Sequence, residues 1–301
     1  MELWIPITFA AAFFQNLRSA LQKHLKGVIG TTGATFVRFG YGLPIAAIYW
    51  LFLVKGMDYP LPELSPDFWL WVIIAALAQI AATVLLLYLF SFRNFVVGTA
   101  YSRTEAMQAA IMASIMFGAV FTIGDIAAII ISVIGLMVIS VARSKLSLIS
   151  LVTSLTSKTA IIGIISGTAF GLAAVGYRQA AISVVSDHFI IQACTTLLIG
   201  IAFQTVVMLI WMAVKESEEI KRVIAAWKPA LIVGFAGATA SFGWFTAFTL
   251  QEAAVVKVLA QVEILFTFMS GYFIFKERMN AMELLGCALI VAGIFVLVAY
   301  S

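Results

Sequence analysis

The feature that constrains this chain most is unbroken apolar sequence. Runs of about twenty residues with little or no charge recur from one end to the other. Each is long enough to cross about 30 Å of hydrocarbon as a helix. In hydrocarbon every backbone N–H and C=O must be satisfied within the segment, so such runs are helical. A membrane β-barrel would instead show alternating segments of about ten residues, and the sequence has none. Composition agrees: 63% of the residues are hydrophobic and 11% are charged. A water-soluble fold of 301 residues has too little interior to hide that much apolar side chain. The sequence therefore predicts an all-α integral membrane protein. Ten transmembrane helices are expected near 3–22, 30–53, 68–90, 95–117, 123–142, 159–178, 188–214, 229–250, 253–275 and 280–300. The opening MELWIPITFAAAFF has no basic stretch before its apolar run. It reads as the first span, not as a cleaved signal.

The joins are too short to hold a soluble domain, so function must lie among the spans. A Ser- and Thr-rich join, RSKLSLISLVTSLTSK, divides the chain into five-helix repeats, 1–147 and 148–301. Residues 67–142 lie on 225–300 without a gap when moved by 158 positions. Trp69 then meets Trp227, Ala78 meets Ala236, Phe90 meets Phe248, Val97 meets Val255, Phe117 meets Phe275 and Gly135 meets Gly293. Apolar matches alone say little. The match of Glu105 with Glu263 says more. A carboxylate in mid-span costs about 2.5–3.5 kcal/mol or more, and two at equivalent positions need a reason. An odd number of spans per repeat inverts one repeat relative to the other. That architecture is common in secondary transporters, with the site near the midplane.

Two stretches carry a resemblance. FVVGTAYSRTEAMQAAIMASIMFG and VVKVLAQVEILFTFMSGYFIFKERMNAMELLGCALIVAGIFVLV resemble the ends of the two repeats of the EamA family, in the drug/metabolite transporter superfamily. The most specific part is FKER followed by a Gly-containing helix ending in AGIFVLV. The first repeat departs from the pattern, with Ala119 where the second has Glu277. The resemblance implies ten helices around a central cavity lined by spans 1–4 and 6–9, with spans 5 and 10 outside. It leaves the substrate open, because members carry amino acids, other metabolites or drugs.

Ionisable residues inside spans are the candidates for chemistry. Arg103 and Glu105 are two apart in the fourth span and point to different sides. Tyr101 and Gln108 share a helix face with Glu105. In the ninth span Gln261 is the repeat partner of Arg103, and Lys257 lies about one and a half turns before Glu263. Glu105 and Glu263 are expected to face one shared cavity, with Arg103 or Arg38 within pairing reach. Structural ion pairs between helices are the alternative. Arg38 lies deep in the second span and could grip a carboxylate or phosphate in bidentate fashion. Pro44, six residues on, should kink that span. Arg18 and Arg178 are nearer span ends and are expected to snorkel. Trp244, in ATASFGWFTAF, could wall a pocket, whereas Tyr88, Tyr177 and Tyr272 read as packing residues. Gly163, Gly167 and Gly171 form a small-residue ridge for close helix contact.

Other classes fall away. The net charge of +4 is scattered at span ends with no basic stripe, so nucleic acid is not an expected partner. His24 and His188 stand alone near span ends, and no metalloprotease, P-loop or nucleophile-elbow motif occurs. No enzyme activity, metal or cofactor is expected. Cys194 and Cys287 read as small buried hydrophobes. Without an ATP site, transport would run on a gradient or by exchange, with a proton as candidate coupling ion. The sequence points to a secondary carrier of a small polar or zwitterionic metabolite, such as an amino acid, in the cell (inner) membrane. The alternatives are a membrane sensor or assembly subunit without turnover, and a flippase of a lipid-linked substrate. The odd-numbered joins hold Lys23, Lys26, Arg93, Arg143, Lys145, Lys158, Lys215, Lys221, Arg222, Lys228, Lys276 and Arg278. The even joins and termini hold little beyond Lys55 and Arg178. By the positive-inside rule, both termini should face outward.

Overall fold

The computed structural model describes residues 2–25, 27–89, 91–92, 95–142, 155–273 and 280–300. Most of the middle join, the FKER run with Glu277, and Lys26, Phe90 and Arg93 lie outside the described residues, as does the side chain of Tyr272. The chain is helical almost throughout. In order the helices are α1 (Trp4–Leu25), α2 (Thr31–Gly40), α3 (Gly42–Leu51), α4 (Pro66–Leu89), α5 (Phe95–Ser102), α6 (Glu105–Phe117) and α7 (Ile123–Ala142). There follow α8 (Lys158–Ile182), α9 (Phe189–Lys215), α10 (Ser217–Ala225), α11 (Trp227–Leu250), α12 (Ala253–Leu259), α13 (Val262–Phe273) and α14 (Ala281–Tyr300). Two-residue strands, β1 (Glu63–Leu64) and β2 (Val184–Val185), pair antiparallel in loops.

Among the described residues, seven helical stretches are long and apolar enough to cross a membrane: Thr31–Gly56, Pro66–Leu89, Ile123–Ala142, Lys158–Ile182, Phe189–Lys215, Trp227–Leu250 and Ala281–Tyr300. The chain is thus a multi-pass, all-α membrane protein. The remaining expected spans differ for physical reasons. The first is one helix, α1, carrying Gln15, Asn16, Arg18, Gln22 and Lys23 along it. The fourth and ninth are each broken in the middle, into α5–α6 and α12–α13. The second span is interrupted at Tyr41, where α2 ends and α3 begins. Pro44 explains the position. It has no N–H to donate to the carbonyl four residues back, that of Gly40, and its ring crowds that oxygen, so the regular ladder stops there.

Some helix ends fall at the 158-residue sequence offset, and others within one to three residues of it. Helix α7 (Ile123–Ala142) moved by 158 residues coincides with α14 (Ala281–Tyr300) at both ends. Helix α5 starts at Phe95 and α12 at Ala253; α6 starts at Glu105 and α13 at Val262. Compactness divides the chain differently from the sequence halves. One unit comprises residues 1–80 and 176–252, and the other 81–175 and 253–301. Each unit therefore draws on both 1–147 and 148–301.

In the first unit α1 packs along α11, and α9 packs against α2, α3 and α11. Gly243 fits against Ala11, and Gly234 against the backbone of Tyr41. The short amphipathic α10 docks on the start of α2. The Gly30 N–H donates to the Glu219 carboxylate, and Thr32 Oγ1 donates to Glu216 Oε1 at 3.0 Å. Negative charge at a helix N-terminus is favourable. In the second unit α7 and α14 pack closely. A Cβ on Gly135 would lie 2.8 Å from the Gly286 carbonyl, and one on Gly286 would lie 2.7 Å from the Gly135 carbonyl.

Candidate functional site

The two breaks are built alike. In regular α-helix each N–H reaches the carbonyl four residues back. At the first break the Arg103 N–H donates to Ala100 at 3.2 Å and the Thr104 N–H to Tyr101 at 3.1 Å, only three residues back. At the second, the Gln261 N–H donates to Val258 at 3.1 Å and the Glu263 N–H to Ala260 at 3.0 Å. Such tight turns inside a helix mark hinges or functional sites. At the first break Thr104 Oγ1 also donates to the Tyr101 carbonyl at 2.7 Å, competing with the regular ladder.

The breaks gather charge. Lys257 Nζ lies 3.3 Å from Glu105 Oε1, and Arg103 Nη1 lies 4.0 Å from Glu263 Oε2. Each acid of one repeat is thus faced by a cation of the other. Glu105 and Glu263 sit in the first turns of α6 and α13, and Lys257 in the last turn of α12. Those are the helix ends where the dipole favours each sign. Exposure ranks the pairs: the Glu105 and Lys257 side chains are 20% and 12% exposed, whereas Arg103 is 43% exposed. The first pair carries more energy, because the second is longer and more solvated. Gln261 is buried, and neither its amide nitrogen nor its amide oxygen has a hydrogen-bond partner among the described residues.

Helix α8 braces the first break. A Cβ on Gly163 would collide with the Gly98 carbonyl, one on Gly167 would lie 3.0 Å from the Ser102 carbonyl, and one on Gly171 3.2 Å from the Glu105 carbonyl. The glycine ridge is a packing device, as its spacing implies, and what it packs against is the broken span. Between the glycines, the hydroxyls of Ser166 and Ser102 lie 3.1 Å apart. Ser166 drew no attention in the sequence, because a lone Ser in an apolar helix is common. Gln108 Nε2 donates to Thr104 Oγ1 at 2.6 Å and its Oε1 accepts from Thr168 Oγ1 at 2.5 Å. Tyr101 packs into an apolar cluster with Ala100, Val141 and Ala160.

The structure therefore brings together Arg103, Glu105, Lys257, Gln261 and Glu263, with Gln108 bracing the turn and Tyr101 behind it. Arg38 and Trp244 belong to the other compact unit. There Trp244 Nε1 donates to Gln15 Oε1 at 2.8 Å, and its ring stacks on Phe248. An apolar groove in the same unit is lined by Phe36, Tyr41, Pro44, Leu209, Met212 and Val223. It holds none of the candidate residues. Among the described residues, no group of three or more His, Cys, Asp or Glu is placed to hold a metal ion. Both cysteines are buried, and among the described residues neither forms a disulfide.

Two arginines depart from expectation. Arg18 does not snorkel; its residue is buried, its stem against Gly237. The absent Gly237 side chain makes the space. Arg178 turns inward to cap α11. It donates to the Gln251 carbonyl at 2.7 Å and the Phe248 carbonyl, and to Glu252 Oε1 at 2.7 Å. The last carbonyls of a helix need such partners. Arg178→Gln is expected to cost about 2 kcal/mol. Lys221→Gln, which breaks an exposed pair with Glu218, should cost under about 1 kcal/mol. Thermal melts of the purified protein compare the two; equal losses would remove the capping role.

Comparison with solved structures shows the fold. One, titled only as the crystal structure of a protein, superposes with a TM-score of 0.70 over 97% of this chain and 95% of its own, at 13% identity. Comparison with curated proteins gives no match. The family model described as the EamA-like transporter family matches residues 157–299. Residues 157–299 of this membrane protein are thus similar to the EamA-like transporter family, which lies within the drug/metabolite transporter superfamily.

Proposed function

We propose that the chain is a secondary carrier of a small zwitterionic metabolite, an amino acid or a related compound. It moves this cargo across the cell membrane by alternating access, driven by a gradient or by exchange. On this reading α1, α5–α6 and α12–α13 also cross the bilayer, giving ten spans in two inverted repeats. The observation that carries the proposal is the pair of matched helix breaks with crossed charges. Irregular backbone at membrane depth is tolerated where it lines a site or is buried in protein, and broken helices form the sites of many transporters. The four charged groups sum to zero, so a neutral zwitterion can exchange partners with them without leaving net charge in the membrane. Its ammonium replaces Lys257 or Arg103 against a carboxylate, and its carboxylate takes the freed cation. Gln261 offers a donor and an acceptor beside them.

Substrate-dependent counterflow tests the reading. Purified protein in liposomes preloaded with an amino-acid mixture should accumulate at least one labelled member against its gradient. No accumulation over a broad panel, with correctly folded protein, would favour a sensor or assembly role. Orientation follows from charge: alkaline phosphatase fused after Ser301 should be active and green fluorescent protein dark. Bright fluorescence with inactive phosphatase would reverse the assignment.

A further inference from the structure

The compact unit formed by residues 1–80 and 176–252 holds a second concentration of charge that the carrier proposal leaves unused. Arg18 and Arg38 are both buried, at 8% and 5% exposed. Their stems meet at one point: a Cβ on Gly237 would lie 3.3 Å from Arg38 Cγ and 3.4 Å from Arg18 Cδ. Two cationic side chains thus run together inside apolar helices, where each guanidinium feels the like charge of the other. Arg38 is within electrostatic reach of both Arg18 and the Tyr177 hydroxyl.

Tyr177 supplies an independent sign. It is 1% exposed, and its hydroxyl has no hydrogen-bond partner among the described residues. The ring is fixed, tilted on Phe245 with centroids 4.2 Å apart. It also lies against Gly200, where a Cβ would come within 3.3 Å of the hydroxyl oxygen. A buried hydroxyl left unpaired is costly, and a glycine that makes room for it leaves the cost standing. A ligand oxygen would remove that cost. The neighbouring groups decide the ligand's sign, since guanidinium offers only donors, in a planar fork matched to two oxygens.

We propose that Arg18, Arg38 and Tyr177 form an anion site that holds a carboxylate or phosphate group. The site stands apart from the carrier proposal, because binding is read on the purified chain without transport. Thermal melts of the full-length protein in detergent test it, with inorganic phosphate, acetate and chloride compared at equal ionic strength. A ligand that binds only the folded state raises the melting midpoint saturably. Phosphate or acetate should raise it above chloride, and whichever acts identifies the oxyanion. Tyr177→Phe should weaken the apparent affinity about tenfold while leaving the ligand-free protein at least as stable, because it deletes an unpartnered hydroxyl. Arg38→Lys, which keeps the charge and loses the fork, should weaken it at least as much. Equal midpoints in all three salts would overturn the proposal. So would wild-type affinity in Tyr177→Phe, and that variant decides the matter if Arg38→Lys does not fold.

Discussion

Glu105→Gln is expected to abolish transport and also to destabilise the chain. The loss follows from what the substitution leaves behind. Lys257 is 12% exposed and 3.3 Å from the Glu105 carboxylate, so its ammonium loses that carboxylate's charge in a poorly solvated place. Removing one partner of a buried pair costs about 3–5 kcal/mol. Here partial exposure brings the figure nearer 2–3 kcal/mol. Lys257→Met should cost a similar amount, for the mirror reason. The double variant should recover to within about 1 kcal/mol of wild type, since neither charge is then stranded. Transport should stay absent in all three. Recovery of transport together with stability in the double variant would mean that the pair only holds helices together.

Gly163→Leu should prevent folding. A Cβ alone at this position would collide with the Gly98 carbonyl, and the carbonyl belongs to a helix backbone that cannot yield locally. Overpacking costs about 1–3 kcal/mol where side chains can move, and more is expected here. The contrast is Gly118, which has φ of +66° with nothing within 4 Å of its missing Cβ. Gly118→Ala meets only the left-handed backbone penalty of about 1–2 kcal/mol. Size-exclusion profiles in detergent should show aggregate or no protein for Gly163→Leu and a single peak for Gly118→Ala. A single peak for Gly163→Leu would contradict the close contact of α8 with α5.

Unbroken apolar runs made the helices readable, and an ungapped offset of 158 positions suggested a repeat. The matched ends of α7 and α14 agree with that offset. Intramembrane charge also marked Glu105, Arg103, Lys257 and Glu263 before any fold was known. The breaks beside them were not legible. Neither AYSRTEA nor KVLAQVEI contains proline or glycine, so the local signals for a broken helix are missing, and tertiary packing decides. Nor was partner choice legible. Arg103 and Glu105 differ by two positions, which excludes a bond between them along one face but cannot say which helix answers. Arg18 misled for a related reason. Its distance from the span end suggested escape to the interface, whereas Gly237, on another helix, makes room for it inside.

The proposed seat of the transported molecule is the pair of breaks, and Gln261 is the residue that reports on it most directly. The native cysteines, Cys194 and Cys287, are both buried, so a background with both changed to Ala leaves an introduced thiol as the only target. Gln261→Cys in that background should react slowly with a small membrane-permeant maleimide. A substrate identified by counterflow should slow the reaction further, in proportion to its occupancy of the site. A rate unchanged by saturating substrate, in protein that still transports it, would contradict the placement of the cargo at the breaks.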